Sequence, residues 1–245
     1  MLAPFALLLP LSAQQDVRPV EGLRQNDPTV HVLVGGKVVS PKGEMEASII
    51  IRDGKIEAIG KKLDPPAGAR VWDVSDHRIY PGFIEPWWEV SQEDSQEGSH
   101  WHKGVRPERM VASGQLPGED ILKNRRALGF CVAHMVADGG IFRGQGAVVL
   151  LREGNRGEKI IAPSTGQVID FANGGGGYPA SLMGAIALVR QTCSDALWYR
   201  DASAAHLANP AKVARPADDR SLAALDLGGR SFLIARDELD YARIA

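Results

Sequence analysis

Arg78-Ile79-Tyr80-Pro81-Gly82-Phe83-Ile84-Glu85-Pro86-Trp87-Trp88-Glu89-Val90 is the stretch on which the reading of the fold turns. An apolar run is broken by Pro81-Gly82 and restarts with Phe83-Ile84, which reads as a turn feeding a short buried strand that ends at Glu85. Two tryptophans and a second carboxylate, Glu89, follow directly.

Upstream of this stretch the rhythm is two. Segments 30–34, 37–39, 47–52, 55–59 and 70–74 alternate apolar with polar residues and predict a small antiparallel sheet. Asp53-Gly54 lies between Ser48-Ile49-Ile50-Ile51-Arg52 and Lys55-Ile56-Glu57-Ala58-Ile59. It is the strongest hairpin signal in the chain, because a two-residue turn needs positive φ at both central positions. Downstream the rhythm changes to helix 119–128, strand 130–137, strand 147–151, helix 179–199 with apolar Leu182, Ile186, Val189 and Leu197, a short helix 221–227, strand 231–235 and a helix from Glu238. Alternation of this kind predicts parallel βα units joined by crossovers. Asp138 and Asp237 fall just past the ends of their strands, where α/β barrels place their active groups.

Composition narrows the classes. With 245 residues, 44% hydrophobic and 24% charged, the chain can bury a sizeable core as one or two domains. Its 28 basic and 30 acidic side chains leave a formal charge of -2, which provides no electrostatic footprint for nucleic acid or an anionic membrane surface. Residues 1–15, M-L-A-P-F-A-L-L-L-P-L-S-A-Q-Q, form an apolar run ending in small and polar residues, similar to a secretory signal and too short to span a bilayer. Export to the periplasm or beyond is the expectation, with 16–29 as a linker. Cys131 and Cys193 each sit in an apolar segment and are expected to be buried free thiols. Two cysteines so far apart build no metal site.

The order V-x-V-x-G-G-K-V-V, I-I-I-R-D-G-K-I-E-A-I-G, V-W-D-V and P-G-F-I-E resembles the opening of the amidohydrolase superfamily, especially its imidazolonepropionase-like and dihydroorotase-like branches. The likeness covers 30–89, and less specifically Leu128-Gly129-Phe130. It implies an α/β protein: a β-sandwich portion over 30–78, then a (β/α) TIM-type barrel over 79–245. It also implies a metal-dependent hydrolase acting on carbon–nitrogen bonds of a small molecule. From Pro81 onward the chain is shorter than the ~250 residues of a complete barrel, so the barrel is expected to be incomplete. A homo-oligomer or a complementary C-terminal half would then cover its open edges.

The resemblance places histidines at the second and fourth positions after the acidic residue, where alternate side chains share one face and reach one metal. Trp87 and Glu89 stand there instead. An indole cannot ligate a metal, whereas Glu89 offers one carboxylate to a hard ion. Zinc or another divalent ion therefore depends on completion by other residues. The best substitute cluster is His100-Trp101-His102 with the carboxylates Glu85, Glu89, Glu93 and Asp94 before it; the alternative is a polar loop, 91–106, with exposed imidazoles. Trp87, Trp88 and Trp101 form either an aromatic platform for a ring substrate or ordinary packing. His134 shares a face with Asp138, as a satisfied core histidine or as part of a site. Asn173-Gly174-Gly175-Gly176-Gly177 reads as a loop without the Gly-Lys-Ser/Thr of a phosphate loop, and Gly144-Gln145-Gly146 as a turn into a strand.

Overall fold

The computed structural model describes residues 29–93, 100–171 and 177–244. The signal-like run 1–15, all but the last residue of the linker, Asp94, and Asn173 to Gly176 of the glycine run lie outside them. The chain divides after Pro81 into two compact units.

The first unit is one sheet. Its strands are β1 (Val30–Ser40), β2 (Gly43–Arg52), β3 (Lys55–Gly60), β4 (Arg70–Asp73) and β5 (Arg78–Ile79), ordered β3-β2-β1-β4 with β5 also on β1. The predicted hairpin forms: Asp53 and Gly54 take φ of 50° and 72°, and Arg52 pairs with Lys55 across the turn. Val30, Val32 and Ile50 are buried together beneath it. Segments 30–34 and 37–39 are one strand, not two, because an irregularity between Leu33 and Gly36 absorbs one extra residue without ending the pairing. The wholly antiparallel expectation is corrected too. The loop before β4 carries the chain back, so that β4 and β5 run parallel to β1.

The second unit holds two sheets. One has the order β10-β9-β7-β6 and comprises β6 (Phe83–Val90), β7 (Phe130–Ala137), β9 (Ala147–Leu150) and β10 (Ile160–Ala162). The other has the order β12-β11-β8 and comprises β8 (Phe142–Gln145), β11 (Gln167–Asp170) and β12 (Ser231–Ile234). The helices are α1 (Glu119–Ala127), α2 (Arg156–Lys159), α3 (Leu182–Ala208), α4 (Arg220–Ala224) and α5 (Glu238–Ile244). Strands β6 and β7, linked through α1, are parallel, as are β11 and β12, linked through α3 and α4. Helix α1 stops where Gly129 takes φ 91° and its N–H returns to the Arg126 carbonyl at 2.9 Å, the conformation that glycine supplies after a helix.

Uniform parallel alternation does not hold. β9 runs antiparallel to β7, and β8 antiparallel to β11. The cause lies at Gly144-Gln145-Gly146, which is not a simple turn: the first two residues end β8 in one sheet, and Gly146 passes the chain to β9 in the other. A Cβ at Gly146 would come within 2.7 Å of both His134 Nε2 and Thr165 Oγ1, so the backbone crosses tightly there. The second unit is thus built of mixed sheets and not of uniformly parallel βα units.

Each sheet has its own core. Val90, Leu122, Ala133, Met135, Val149 and Leu151 fill the first, and Phe142, Ile169, Ala185, Leu188 and Ala196 the second. On α3 the buried stripe is Ala185, Leu188, Thr192 and Ala196, one position away from the expected large residues; the small side chains allow close packing, and Leu197 is left exposed. The thiol expectation changes as well. Cys131 is free but exposed, because the core on its face of β7 begins only at Ala133, while Cys193 is half-buried and burial pushes its thiol pKa up.

Candidate functional site

The opening stretch folds into β6, but the strand runs through Glu85 to Val90 and its first half is not buried: Phe83 and Ile84 are exposed. β6 is an edge strand with β7 as its one neighbour, and its start lies ahead of the core. The pairing shifts between Glu85 and Trp88. Pro86, with no N–H to donate, is accommodated at that irregularity. Beyond it Trp87 and Glu89, two residues apart, share one face near the end of β6.

There a chain of charges joins the two sheets. Glu89 Oε1 accepts from Arg143 Nη1 at 2.8 Å and from Trp87 Nε1 at 3.4 Å. Arg143 Nη2 donates to Asp170 Oδ2, and Arg236 grips Asp170 with both terminal nitrogens, Nη2 to Oδ2 at 2.6 Å. Asp240 accepts from the Arg236 backbone N–H at 3.1 Å and from Arg243 at 3.3 Å. Placement follows from the strands: Glu89 is one residue from the end of β6, Asp170 ends β11, Arg236 lies just past the parallel β12, and antiparallel β8 brings Arg143 to the same end. The side chains of Arg143 and Asp170 are only 6% and 0% exposed, so their charges are removed from water and offset by each other. Hydrogen bonding to Asp170 raises the Arg236 pKa, with Asp240 and Glu89 adding to the effect.

Beneath the network lies an aromatic wall. Trp87 meets His134 edge-on at 5.7 Å and Phe232 at 6.4 Å between ring centres, and His134 lies 5.2 Å from Phe232. His134 Nδ1 donates to the Pro86 carbonyl at 3.1 Å, which makes Nε2 the acceptor for Thr165 Oγ1 at 2.8 Å. His134 is therefore a satisfied structural histidine. Asp138 does not join it. It lies just past the end of β7, where its backbone carbonyl accepts from Arg109 at 3.3 Å. Burial lowers the Arg109 pKa, and the Asp138 charge opposes that shift. Asp237 accepts from the Asp240 N–H at 2.7 Å at the start of α5, a helix cap.

The His100-Trp101-His102 cluster is not an exposed polar loop. His100 is buried, its Nδ1 accepts the His102 N–H at 3.1 Å, and its own N–H donates to Ser221 at 3.1 Å. Burial lowers its pKa, against the opposing pull of Asp219. His102 Nε2 donates to the Tyr178 carbonyl at 2.7 Å and Nδ1 accepts from Gly104 at 3.0 Å. Both imidazoles hold their loop. The three tryptophans form no common platform either: Trp87 belongs to the wall, Trp88 packs on the first core with Arg125 4.9 Å above its ring, and Trp101 is 71% exposed.

What the strand ends do offer is a cleft of about 320 Å³ lined by Trp88, Glu89, Val90, Gln115, Leu116 and Ile121. Its rim is tied by Gln92, which accepts from the Gln115 N–H at 3.1 Å and donates to the Gln115 carbonyl at 2.7 Å. The residues present do not fit a metal centre. Trp87 has no lone pair to give, Glu89 is held by a guanidinium, and the imidazoles of His102 and His134 have both nitrogens engaged. Among the described residues no three His, Cys, Asp or Glu side chains converge. Sequence reading missed Arg143, Asp170 and Arg236; the available signal was one charge set into or ending each of the apolar runs I-F-R, V-I-D and L-I-A-R.

The fold is amidohydrolase-like by comparison with solved structures. An amidohydrolase from Thermotoga maritima MSB8 shares it, with a TM-score of 0.61 and 18% identity over 79% of this chain and 54% of that protein. In sequence, the dihydroorotase of Anaeromyxobacter dehalogenans (strain 2CP-C) is 34% identical over 53 residues, and human dihydropyrimidinase-related protein 5 is 38% identical over 61 residues. These matches cover 21% and 24% of this chain but only 12% and 11% of those relatives. No protein-family profile matches. By fold the chain is amidohydrolase-like, and over these short stretches its sequence is similar to members of the amidohydrolase superfamily.

Proposed function

We propose that the chain is part of an amidohydrolase-like protein of the class that hydrolyses non-peptide carbon–nitrogen bonds, and that this portion is a binding module that supplies no metal ligand. The class rests on the resemblance to the superfamily. One contact carries the finer reading: Glu89, at a position where the resemblance expects histidine, is bound by the buried guanidinium of Arg143 at 2.8 Å. The cleft beside Trp88 and Glu89 is where a small ring-shaped substrate would meet this portion. Any hydrolytic metal centre of the whole protein then draws its ligands from residues other than those described.

Two further elements belong to this proposal. The signal-like run 1–15 supports export. The edges at β10, β12 and β6 support association with a second copy or a complementary half, which light scattering would detect as a mass above that of the monomer. The deciding experiment is elemental mass spectrometry of the purified protein, alongside an assay for ring opening of a cyclic amide such as dihydroorotate. Metal well below one ion per chain and no turnover are expected. Stoichiometric zinc that disappears in His100→Ala and His102→Ala would overturn the reading.

A further inference from the structure

We infer that a polar cleft at the start of β11 and β12 binds a small zwitterion, a molecule carrying both an ammonium and a carboxylate, between Asp226 and Arg230. The cleft, of about 330 Å³, is lined by Gln145 at the end of β8, by Ser164 and Thr165 ahead of β11, and by Asp226, Gly229 and Arg230 between α4 and β12. It lies at the opposite end of β11 from Asp170. The site is therefore separate from the strand-end network and from the cleft beside Trp88, and does not rest on the hydrolase reading. Its size is that of a small-molecule site, but its lining is polar.

Charge selects the ligand class. Asp226 and Arg230 are the charged residues of the lining, and among the described residues no ion pair joins them. Opposite charges that share a cleft without touching leave room for a molecule that meets both. A lone anion would face the Asp226 carboxylate and a lone cation the Arg230 guanidinium, whereas a zwitterion satisfies each and leaves the cleft neutral. Both groups are placed by their backbone. Asp226 Oδ1 accepts the Gly228 N–H at 2.9 Å, a Cβ at Gly229 would come within 2.7 Å of Oδ2, and the Arg230 carbonyl accepts the Gln167 N–H at 2.9 Å. Hydrogen-bond bookkeeping agrees. Thr165 gives its hydroxyl proton to His134 Nε2 at 2.8 Å and Ser164 gives its own to Gln145 Oε1 at 2.8 Å, so both oxygens offer the cleft lone pairs only. With Asp226 Oδ2 they supply acceptors for the three donors of an ammonium, and the guanidinium fork suits a carboxylate. Behind Gln145, whose Nε2 donates to Gln167 Oε1 at 3.3 Å, the buried Gln167 Nε2 has no partner, so this end of the sheet keeps hydrogen-bonding capacity that the chain does not fill.

The test sets two zwitterions of different charge spacing against their own halves, on the full chain, by ligand-observed nuclear magnetic resonance titration. L-alanine is compared with propionate and ethylamine, and 4-aminobutyrate with butyrate and butylamine; glycerol serves as the uncharged donor-rich control. At least one zwitterion is expected to bind about tenfold more tightly than either of its halves and than glycerol. This comparison needs no variant. Asp226→Asn, which keeps the acceptor for Gly228, is expected to remove the advantage over the carboxylate half, and Arg230→Gln the advantage over the amine half. Both residues are exposed, so both variants should melt close to the parent. The inference falls if neither zwitterion exceeds its halves, if glycerol binds as tightly, or if both variants keep the full advantage. Metal content and ring opening play no part in these outcomes, so the hydrolase reading can fail while the site stands.

Discussion

Arg52–Glu57 and Arg143–Asp170 are both arginine–carboxylate pairs, yet they stand at opposite ends of what such a pair does in a protein. The first closes the β2–β3 hairpin at 2.9 Å, with side chains 44% and 46% exposed. Its partners are brought together by a turn a few residues away. The second joins β8 to β11 with side chains 6% and 0% exposed, and its partners meet only because two strands pair. At the surface, water already solvates both ions and little is gained. In the interior the ions have lost water, each depends on the other, and removal of either leaves a charge without compensation.

The largest expected effect therefore falls on Asp170. Asp170→Ala leaves Arg143 and Arg236 facing one another without their shared carboxylate and is expected to cost about 3–5 kcal/mol. Urea unfolding measures it as a lower midpoint at unchanged slope. A loss below about 1 kcal/mol, the size of a surface pair, would erase the distinction between the two regions.

Next comes the hairpin itself. Gly54→Ala introduces a Cβ that meets nothing within 4 Å, so any loss arises from the left-handed backbone at φ 72° and not from a clash. About 1–2 kcal/mol is expected in the same assay. No loss would show that the turn readily relaxes to a different geometry.

These two sites also show how much of the molecule is legible in its sequence. Asp53-Gly54 declares itself because its chemistry is local: two residues dictate the turn, and the turn sets the register of β2 against β3. Helix α1 and strand β7 are read correctly for the same reason, through period and a glycine stop. The strand-end network is not local. Glu89, Arg143, Asp170 and Arg236 are scattered along the chain, and nothing in their neighbours says they converge until β8 is known to leave one sheet for the other at Gly146. Trp87 and Glu89 stand where the resemblance to the superfamily expects histidines. Their sequence neighbours do not show that Glu89 meets Arg143.

A gentler effect is expected from His100, where the buried loop differs from the exposed hairpin by responding to pH. Its folded pKa is depressed, chiefly by burial, below the ordinary value of 6.5. The unfolded chain then takes up a proton first as pH falls, so stability is full above that value and declines as pH drops through the window beneath it. Urea midpoints at about pH 7.5 and about pH 5.5 should differ in this sense, and His100→Gln should shrink the difference. An unchanged difference in the variant would assign the acid sensitivity to other groups.

The smallest effect belongs to Arg52–Glu57, and it tests the comparison in the other direction. Arg52→Ala is expected to cost about 0.2–1 kcal/mol, because the pair is screened by water and both side chains give up freedom to meet. Salt separates this pair from the buried one more cleanly than size does. At about 1 M salt the screening length falls to ~3 Å, so the cost of Arg52→Ala should fade while that of Asp170→Ala persists, the latter being set by lost hydrogen bonds and buried charge that mobile ions do not reach. If both costs shrank together, solvent would have access to Arg143 and Asp170, and the strand ends would be a second surface rather than an interior.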